Sequence, residues 1–316
     1  MEKVVIIMAT YNGEKYIKEQ LESIINQTYS NWKLIIHDDN STDKTMDILY
    51  EYKIKYKEKI EIIDDKIVFK SAKKNFMHLL NIVKNEEFEY ALFCDQDDIW
   101  VNNKIEIMLD YARKENREIP IVIHSDSRLI DANDNVIGES FNESSKLHKE
   151  RKDFLSISLW NIAQGCSMMI NKKCFDFIDI NIEKIIMHDW WICIIASIFG
   201  SIVYINKQLI DYRQHDNNCI GGEKQKSIFD VIGVNKLETY KTETIRTYYL
   251  VYEQFKEIKK YFEHMPDSKK KIYNELLTVM GNGNMFNRIF LCIKERLVFK
   301  KGIKTCLGFV LFGKQK

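Results

Sequence analysis

The sequence predicts an α/β fold built on a mostly parallel, doubly wound sheet, followed by a helical, basic C-terminal region. Three observations carry that prediction. Short apolar, β-branched runs alternate with longer segments whose apolar residues recur at helical spacing. Polar clusters follow the strand-like runs, at residues 10–12, 38–43 and 95–98. Charge is divided along the chain: residues 1–220 carry 28 Lys and Arg against 36 Asp and Glu, and residues 221–316 carry 19 against 10.

Each element has its own signal. Val4 to Met8 is a continuous apolar run, the pattern of a strand buried on both faces, and Ile17, Leu21, Ile24 and Ile25 form one stripe of the helix after it. Trp32 to His37 repeats the strand, with Ile48, Leu49, Tyr52 and Tyr56 on the next helix. Ile60 to Ile63 precedes the stripe Phe76, Leu79, Leu80 and Val83. Tyr90 to Cys94 precedes Ile105, Met108, Leu109 and Ala112. After a strand at Ile121 to His124, a hairpin is expected around residues 132–135, and a mobile polar loop from Glu139 to Lys152. Gly165 to Ile170, Ser201 to Ile205 and Gln208 to Arg213 read as strands, His188 to Ile198 and Thr244 to Phe262 as helices. Ligands of open α/β sheets bind beyond the carboxyl ends of the strands, so the polar clusters should converge on one crevice.

Composition excludes several classes. In 316 residues, 47 basic side chains nearly cancel 46 acidic ones, which excludes a simple basic nucleic-acid binder. The apolar start is too short for a secretion signal, and no run approaches a membrane span. Seven scattered cysteines without a CxxC pair fit reduced structural thiols. Neither GxxxxGK[ST] nor GxGxxG occurs, so a diphosphate ligand needs another counter-charge.

Asp95-Gln96-Asp97-Asp98 can supply one through Mg²⁺ or Mn²⁺, because hard carboxylate oxygens at a strand end suit such ions. The plain alternative is an acidic turn capping the next helix. Asp38-Asp39 can hydrogen-bond a nucleobase or ribose, or cap a helix starting near Thr42. From residue 283 onward eight basic residues interleave with apolar ones against a single acid, Glu295. That pattern suits a helix on an anionic membrane surface and equally a helix packed on the rest of the chain.

Five clusters in order, Ala9-Thr10-Tyr11-Asn12-Gly13, Asp38-Asp39-Asn40-Ser41-Thr42-Asp43, Asp95-Gln96-Asp97-Asp98-Ile99-Trp100, His188-Asp189-Trp190-Trp191 and Tyr212 through Asn218, closely resemble the family 2 glycosyltransferases of GT-A fold. The subgroup is the bacterial rhamnosyltransferase-like enzymes, and the match covers roughly residues 1–220. The resemblance implies a GT-A catalytic domain over 1–220, with a donor half to about residue 100 and an acceptor half from 101 to 220, ahead of a helical, basic region at 221–316. It implies an inverting transferase that takes a sugar from a dTDP- or UDP-sugar donor. The acceptor would be a glycan or lipid-linked glycan, and the place the cytoplasm or the inner face of the membrane.

The same resemblance assigns roles. Thr10, Tyr11, Asn12 and Asp39 border the base, Lys74 and Asn75 lie near the nucleotide, and Asp95 lies near the ribose. Asp97 and His215 hold the divalent cation, with Asp98 as adjacent support. Asp189 matches the catalytic base, and a first-turn helix charge is its plain alternative. Gln164 and Gly165 line the acceptor side. Arg213 assists the leaving group. Trp190 and Trp191 stack on sugar rings or simply fill core. Cys166 reads as packing. A sugar-phosphate nucleotidyltransferase and a non-catalytic glycan- or nucleotide-binding module are the competing readings.

Overall fold

The computed structural model describes residues 1–145, 152–215, 234–281, 284 and 286–289, the side chains of 234–245 excepted. Two compact units are present: residues 1–150, 162–180 and 187–221, and residues 151–161, 181–186 and 222–316. The short excursions at 151–161 and 181–186 thus belong with the C-terminal residues, a partition that local periodicity does not encode.

The first unit is a nine-stranded sheet in the order β3-β2-β1-β4-β8-β6-β9-β5, with β7 paired to β6. Its parallel half is β1 (Val4–Thr10), β2 (Trp32–Asp38), β3 (Ile60–Ile63) and β4 (Tyr90–Cys94). The helices between them are α1 (Ile17–Ile25), α2 (Thr45–Lys55) and α3 (Ala72–Val83). Ile17, Leu21 and Ile24 of α1 are buried, as are Phe76, Leu79, Leu80 and Val83 of α3, so the expected stripes do face the core. Ser71 caps α3, its hydroxyl accepting the Lys74 N–H at 3.4 Å.

Beyond β4 the sheet becomes mixed. Strand β5 (Ile99–Trp100) is followed by α4 (Lys104–Ala112), whose Ile105, Met108, Leu109 and Ala112 are buried. Next come β6 (Ile121–Ile130), β7 (Val136–Gly138) and the short helices α5 (Phe141–Ser144) and α6 (Phe154–Leu159). Strand β8 (Met168–Asn171) runs antiparallel between β4 and β6. Helix α7 (His188–Phe199) leads to β9 (Ser201–Arg213), which pairs parallel with β6. Three expectations change. Residues 165–167 form a 3₁₀ turn ahead of the strand. Strand β9 is continuous, its polar middle absorbed where the β6 register shifts after Ser125 and again after Asp126. Helix α5 interrupts the polar loop expected over 139–152, and residues 146–151 lie outside the described residues. Ser140 accepts the Glu143 N–H at 3.1 Å and donates to Asp126 at 2.6 Å, the Ser-x-x-Glu spacing of a helix start.

In the second unit, α8 (Val234–Glu257) and α9 (Asp267–Gly281) flank a 3₁₀ segment at Ile258–His264. Phe255 stacks on Phe154 of α6 and on Tyr273 of α9, with centroids 6.0 and 4.8 Å away. Among the described residues no helix is long and apolar enough to cross a membrane. Cys94, Cys166, Cys174 and Cys193 are buried free thiols.

Gly200 joins α7 to β9 where no side chain fits. A Cβ there would lie 1.7 Å from the Pro120 carbonyl oxygen, and that oxygen accepts the Ser201 N–H at 2.9 Å. Gly200→Ala is expected to destabilise the protein by about 3 kcal/mol through overpacking against backbone, read as a lower urea midpoint.

Candidate active site

The loops after β1 and β2 lock together through side chains that answer backbone groups. Thr10 donates its hydroxyl to Asp38 at 2.7 Å, and Asp38 also accepts the Ser41 N–H and hydroxyl. Asn12, in the left-handed region at φ 47°, donates its N–H to Ser41 and accepts the Thr42 N–H on its side chain, both at 2.8 Å. Asp39 is buried and accepts the N–H groups of Phe69 and Ser71, at 2.5 and 3.2 Å. It does not cap α2, which begins at Thr45 after Lys44. Tyr11 is exposed at the rim, its peptide group held at both ends by the Gln96 amide, at 2.8 and 2.9 Å.

The acidic turn 95–98 starts where β4 ends and stops where β5 pairs with β9, Ile99 opposite Asp211. It therefore leaves the middle of the sheet and finishes beside the end of β9. There Asp98 accepts the Arg213 N–H at 3.2 Å, and Asp97 Oδ2 lies 2.8 Å from His215 Nε2. The His215 ring stacks on Tyr16, with centroids 5.0 Å apart. Helix α4 starts at Lys104, and Asn103, which makes no side-chain capping bond, holds the position before it, so the acidic turn is not its cap.

Crowding three carboxylates here has an electrostatic cost. Burial, reinforced by Asp97 and Asp189, pushes Asp95 up to about 7. Burial, with Asp97 and Asp95 beside it, raises Asp98 well above the usual carboxylate range. The chain supplies one cation from below: Lys104 is fully buried, donates to the Cys166 carbonyl at 2.7 Å and lies 3.6 Å from the Trp100 ring centroid. Burial lowers its ammonium to about 8.

A divalent cation fits this set on chemical grounds. Asp95, Asp98 and Cys166 bring their ligand atoms within 4.8 Å of one another, with the Cys166 thiol against the buried Asp98 carboxyl. Asp97 and His215 are partly exposed and present a carboxylate oxygen and an imidazole nitrogen side by side, a donor pair that manganese-type ions accept.

Asp189 sits in the first turn of α7, 5% exposed, and accepts its neighbour's Trp190 N–H at 2.5 Å. Its charge reaches Asp95. Gly165 lies against it: a Cβ there would stand 3.0 Å from His188 Nε2 and 3.6 Å from Asp189 Oδ2. Gln164 accepts the Ser127 hydroxyl at 3.1 Å.

Five expected site residues have other surroundings. Arg213 is 1% exposed and spends its guanidinium on the Asp97 and Asp131 carbonyls and on the Asp134 and Glu19 carboxylates. It is a buried clip, which leaves no face for a leaving group. Trp191 is fully buried with its indole N–H on the Phe177 carbonyl at 2.9 Å, so it is core, and Trp190 is buried as well. Asn75 is buried and turns both polar ends to His37, at 2.9 and 3.2 Å. Lys74 contributes its backbone N–H to the α3 cap. Cys166 is packing, as expected, and burial raises its thiol well above the usual range. Residues 216–218 lie outside the described residues. Sequence reasoning passed over Gln96 and Lys104, although both sit at fixed offsets inside the acidic motif and the helix after it.

Residues 5–176 match the family described as Glycosyl transferase family 2. The dTDP-rhamnosyl transferase RfbG of Shigella flexneri is 30% identical over 248 residues, 76% of this chain and 82% of RfbG. S. aureus TarS 1-349 in complex with UDP-GlcNAc superposes with a TM-score of 0.58 at 16% identity, over 87% of this chain and 70% of that one. The mannosyltransferase PcManGT from Pyrobaculum calidifontis in complex with GDP-Man and Mn²⁺ gives 0.54 at 12% identity, over 99% of this chain and 79% of its own. These likenesses agree with the GT-A fold that the motifs implied.

His188, beside the expected base, generates a pH prediction. Its ring packs on Phe76 and Phe93, with centroids 4.5 and 4.9 Å away, and neither nitrogen has a hydrogen-bond partner. Burial pulls it from 6.5 down to about 3. The folded chain therefore refuses a proton that the unfolded chain binds, and stability is lost as pH falls from 6.5 towards about 3. In urea titrations, His188→Phe should show a constant stability difference from wild type above about pH 7. Below about pH 6 the difference should shift in the variant's favour by up to about 1.4 kcal/mol per pH unit.

Proposed function

Since the chain belongs to glycosyl transferase family 2, we propose that it transfers a sugar, with inversion, from a nucleotide-diphosphate donor to a hydroxyl of a growing bacterial surface glycan. The observation that carries this reading is the meeting of Asp97 with His215, 118 residues away in sequence, in an acidic turn within electrostatic reach of Asp189. Asp189 is the base. It takes the proton of the acceptor hydroxyl as that oxygen attacks the anomeric carbon from the face opposite the diphosphate, so one carboxylate is enough. Gly165 keeps the space above Asp189 free of a side chain. Asp39, with Thr10, Tyr11 and Asn12, forms the base-binding wall. Asp95 faces the ribose.

Asp97 and His215 would hold Mn²⁺ or Mg²⁺, which when bound supplies positive charge for the diphosphate oxygens of the departing nucleotide. The likeness to RfbG, a dTDP-rhamnosyl transferase, makes dTDP-rhamnose the first donor to test, with UDP-sugars next. Residues 1–220 form the catalytic domain in this reading. Arg288 is buried; the basic residues from 294 to 316, which lie outside the described residues, bring the enzyme to anionic lipid on the cytoplasmic face of the membrane, where a lipid-linked acceptor is met.

Asp189→Asn is expected to bind donor as wild type does and to lower transfer at least about 10²-fold; thermal shift and product formation measure the two separately, and near-normal turnover would remove Asp189 from the role of base. Across a panel of nucleotide sugars, the true donor should raise the melting temperature only when Mn²⁺ or Mg²⁺ is present. Truncation after Asn282 should abolish co-sedimentation with anionic vesicles while leaving turnover of a soluble acceptor intact.

A further inference from the structure

A second set of metal-type ligands stands apart from the acidic turn. His37 is the next-to-last residue of β2, Asp65 follows β3, and His78 lies in the second turn of α3. His37 Nε2 is 3.2 Å from Asp65 Oδ1, and His78 Nε2 is 2.6 Å from Asp65 Oδ2. All three ligand atoms fall within 4.8 Å of one another. His37 is buried, whereas His78 and Asp65 are 19% and 29% exposed, so an ion has a route in.

The neighbours orient these groups as a ligand shell would be oriented. Asn75 donates from Nδ2 to the His37 carbonyl at 3.2 Å, which turns its Oδ1 to His37 Nδ1 at 2.9 Å. The Asn75 carbonyl oxygen calls for a proton on Nδ1, so in the neutral ring the Nε2 lone pair is aimed at a carboxylate oxygen. Lone pair against carboxylate is repulsive unless a positive charge sits between them. A metal-bound imidazole almost always donates its other ring N–H to an oxygen acceptor, and the Asn75 amide oxygen stands in that place. Two imidazoles and one carboxylate form a set that zinc-type ions accept with a fourth position left to water. Tetrahedral bonds of about 2.0 Å place ligand atoms about 3.3 Å apart, close to the His37 separation already present. The wider spacing needed at His78 asks only for a small turn of a partly exposed ring.

We propose that His37, Asp65 and His78 bind a transition-metal dication of the zinc class, as a structural tether distinct from any ion at Asp97. The tether fixes the segment from Asp65 to Ser71. Phe69 lies against both imidazoles, with centroids 5.7 and 5.1 Å away, and the Phe69 and Ser71 amides hold Asp39. The ion would thus brace the segment under Asp39 without meeting donor or acceptor.

The full chain, stripped with chelator and kept in excess Mg²⁺ to occupy sites selective for hard ions, is titrated with Co²⁺ and then Zn²⁺. The expected result is one equivalent of Co²⁺ with the intense visible absorption of tetrahedral coordination, displaced by Zn²⁺ and accompanied by a rise in melting temperature. Binding should weaken at least about tenfold in His78→Ala and in Asp65→Asn, two positions exposed enough to change without unfolding the chain, and persist in Asp97→Asn. No tetrahedral band, or a band lost in Asp97→Asn and kept in Asp65→Asn, would overturn the proposal and leave the cluster held by protons alone. Neither readout depends on sugar transfer, so failure here is distinguishable from failure of the enzymatic reading.

Discussion

The buried guanidinium of Arg213 is the interaction on which the arrangement of the acidic turn depends. A charge this deep costs several kcal/mol unless its donors are met. Here Nε reaches the Asp97 carbonyl at 2.9 Å, Nη2 reaches Glu19 at 2.7 Å, and Nη1 reaches Asp134 and the Asp131 carbonyl. The guanidinium also lies 4.4 Å from the Tyr16 ring centroid. One side chain thereby ties the end of β9 to α1, to the β6–β7 hairpin and to the backbone of the turn. Because Arg213 fixes the Asp97 main chain, the Asp97 carboxylate is aimed at His215, two residues further along.

Lys104 is a second buried cation near the same turn, and its charge is felt by Asp95 and Asp98. Three aspartates in four residues repel one another at an apolar strand end. Lys104 enters from α4 and is steadied by the Trp100 ring and the Cys166 carbonyl. Arg213 enters from β9. The turn therefore folds with one counter-charge, Lys104, near Asp95 and Asp98, while Arg213 holds it through the Asp97 carbonyl. Asp98 is fully buried, whereas Asp95 and Asp97 keep part of their surface open.

Much of the donor half was legible because its signals are local. Continuous apolar runs gave β1, β2 and β4, and helical stripes gave α1, α3 and α4, since burial on a sheet writes a period into the sequence. The convergence of the polar clusters followed from the strand ends alone. What stayed hidden rests on long-range contacts. Strand β5 has two residues and hence no period, so its pairing with β9, which carries the turn across the sheet, leaves no local trace. Arg213 read as an available cation because arginine is rarely buried unpaired, and its partners Glu19 and Asp134 lie far away in sequence. Trp191 was left open between sugar stacking and core, and Asn75 was expected near the nucleotide, for a related reason: composition cannot tell a polar or aromatic group facing a crevice from one satisfied beneath it. The pairing of Asp97 with His215 was anticipated through the family's motifs, not through spacing.

The ordering of the strands also decides what backbone the sheet leaves at its margins. An open sheet is exposed to foreign pairing along its outer strands, and long flat margins invite aggregation. Here the path through the sheet ends on β3, with four residues, and on β5, with two. Lys33 and Glu61 form an ion pair of 2.6 Å across the β2–β3 margin. Margins this brief offer a nascent or partly unfolded neighbour only a short template.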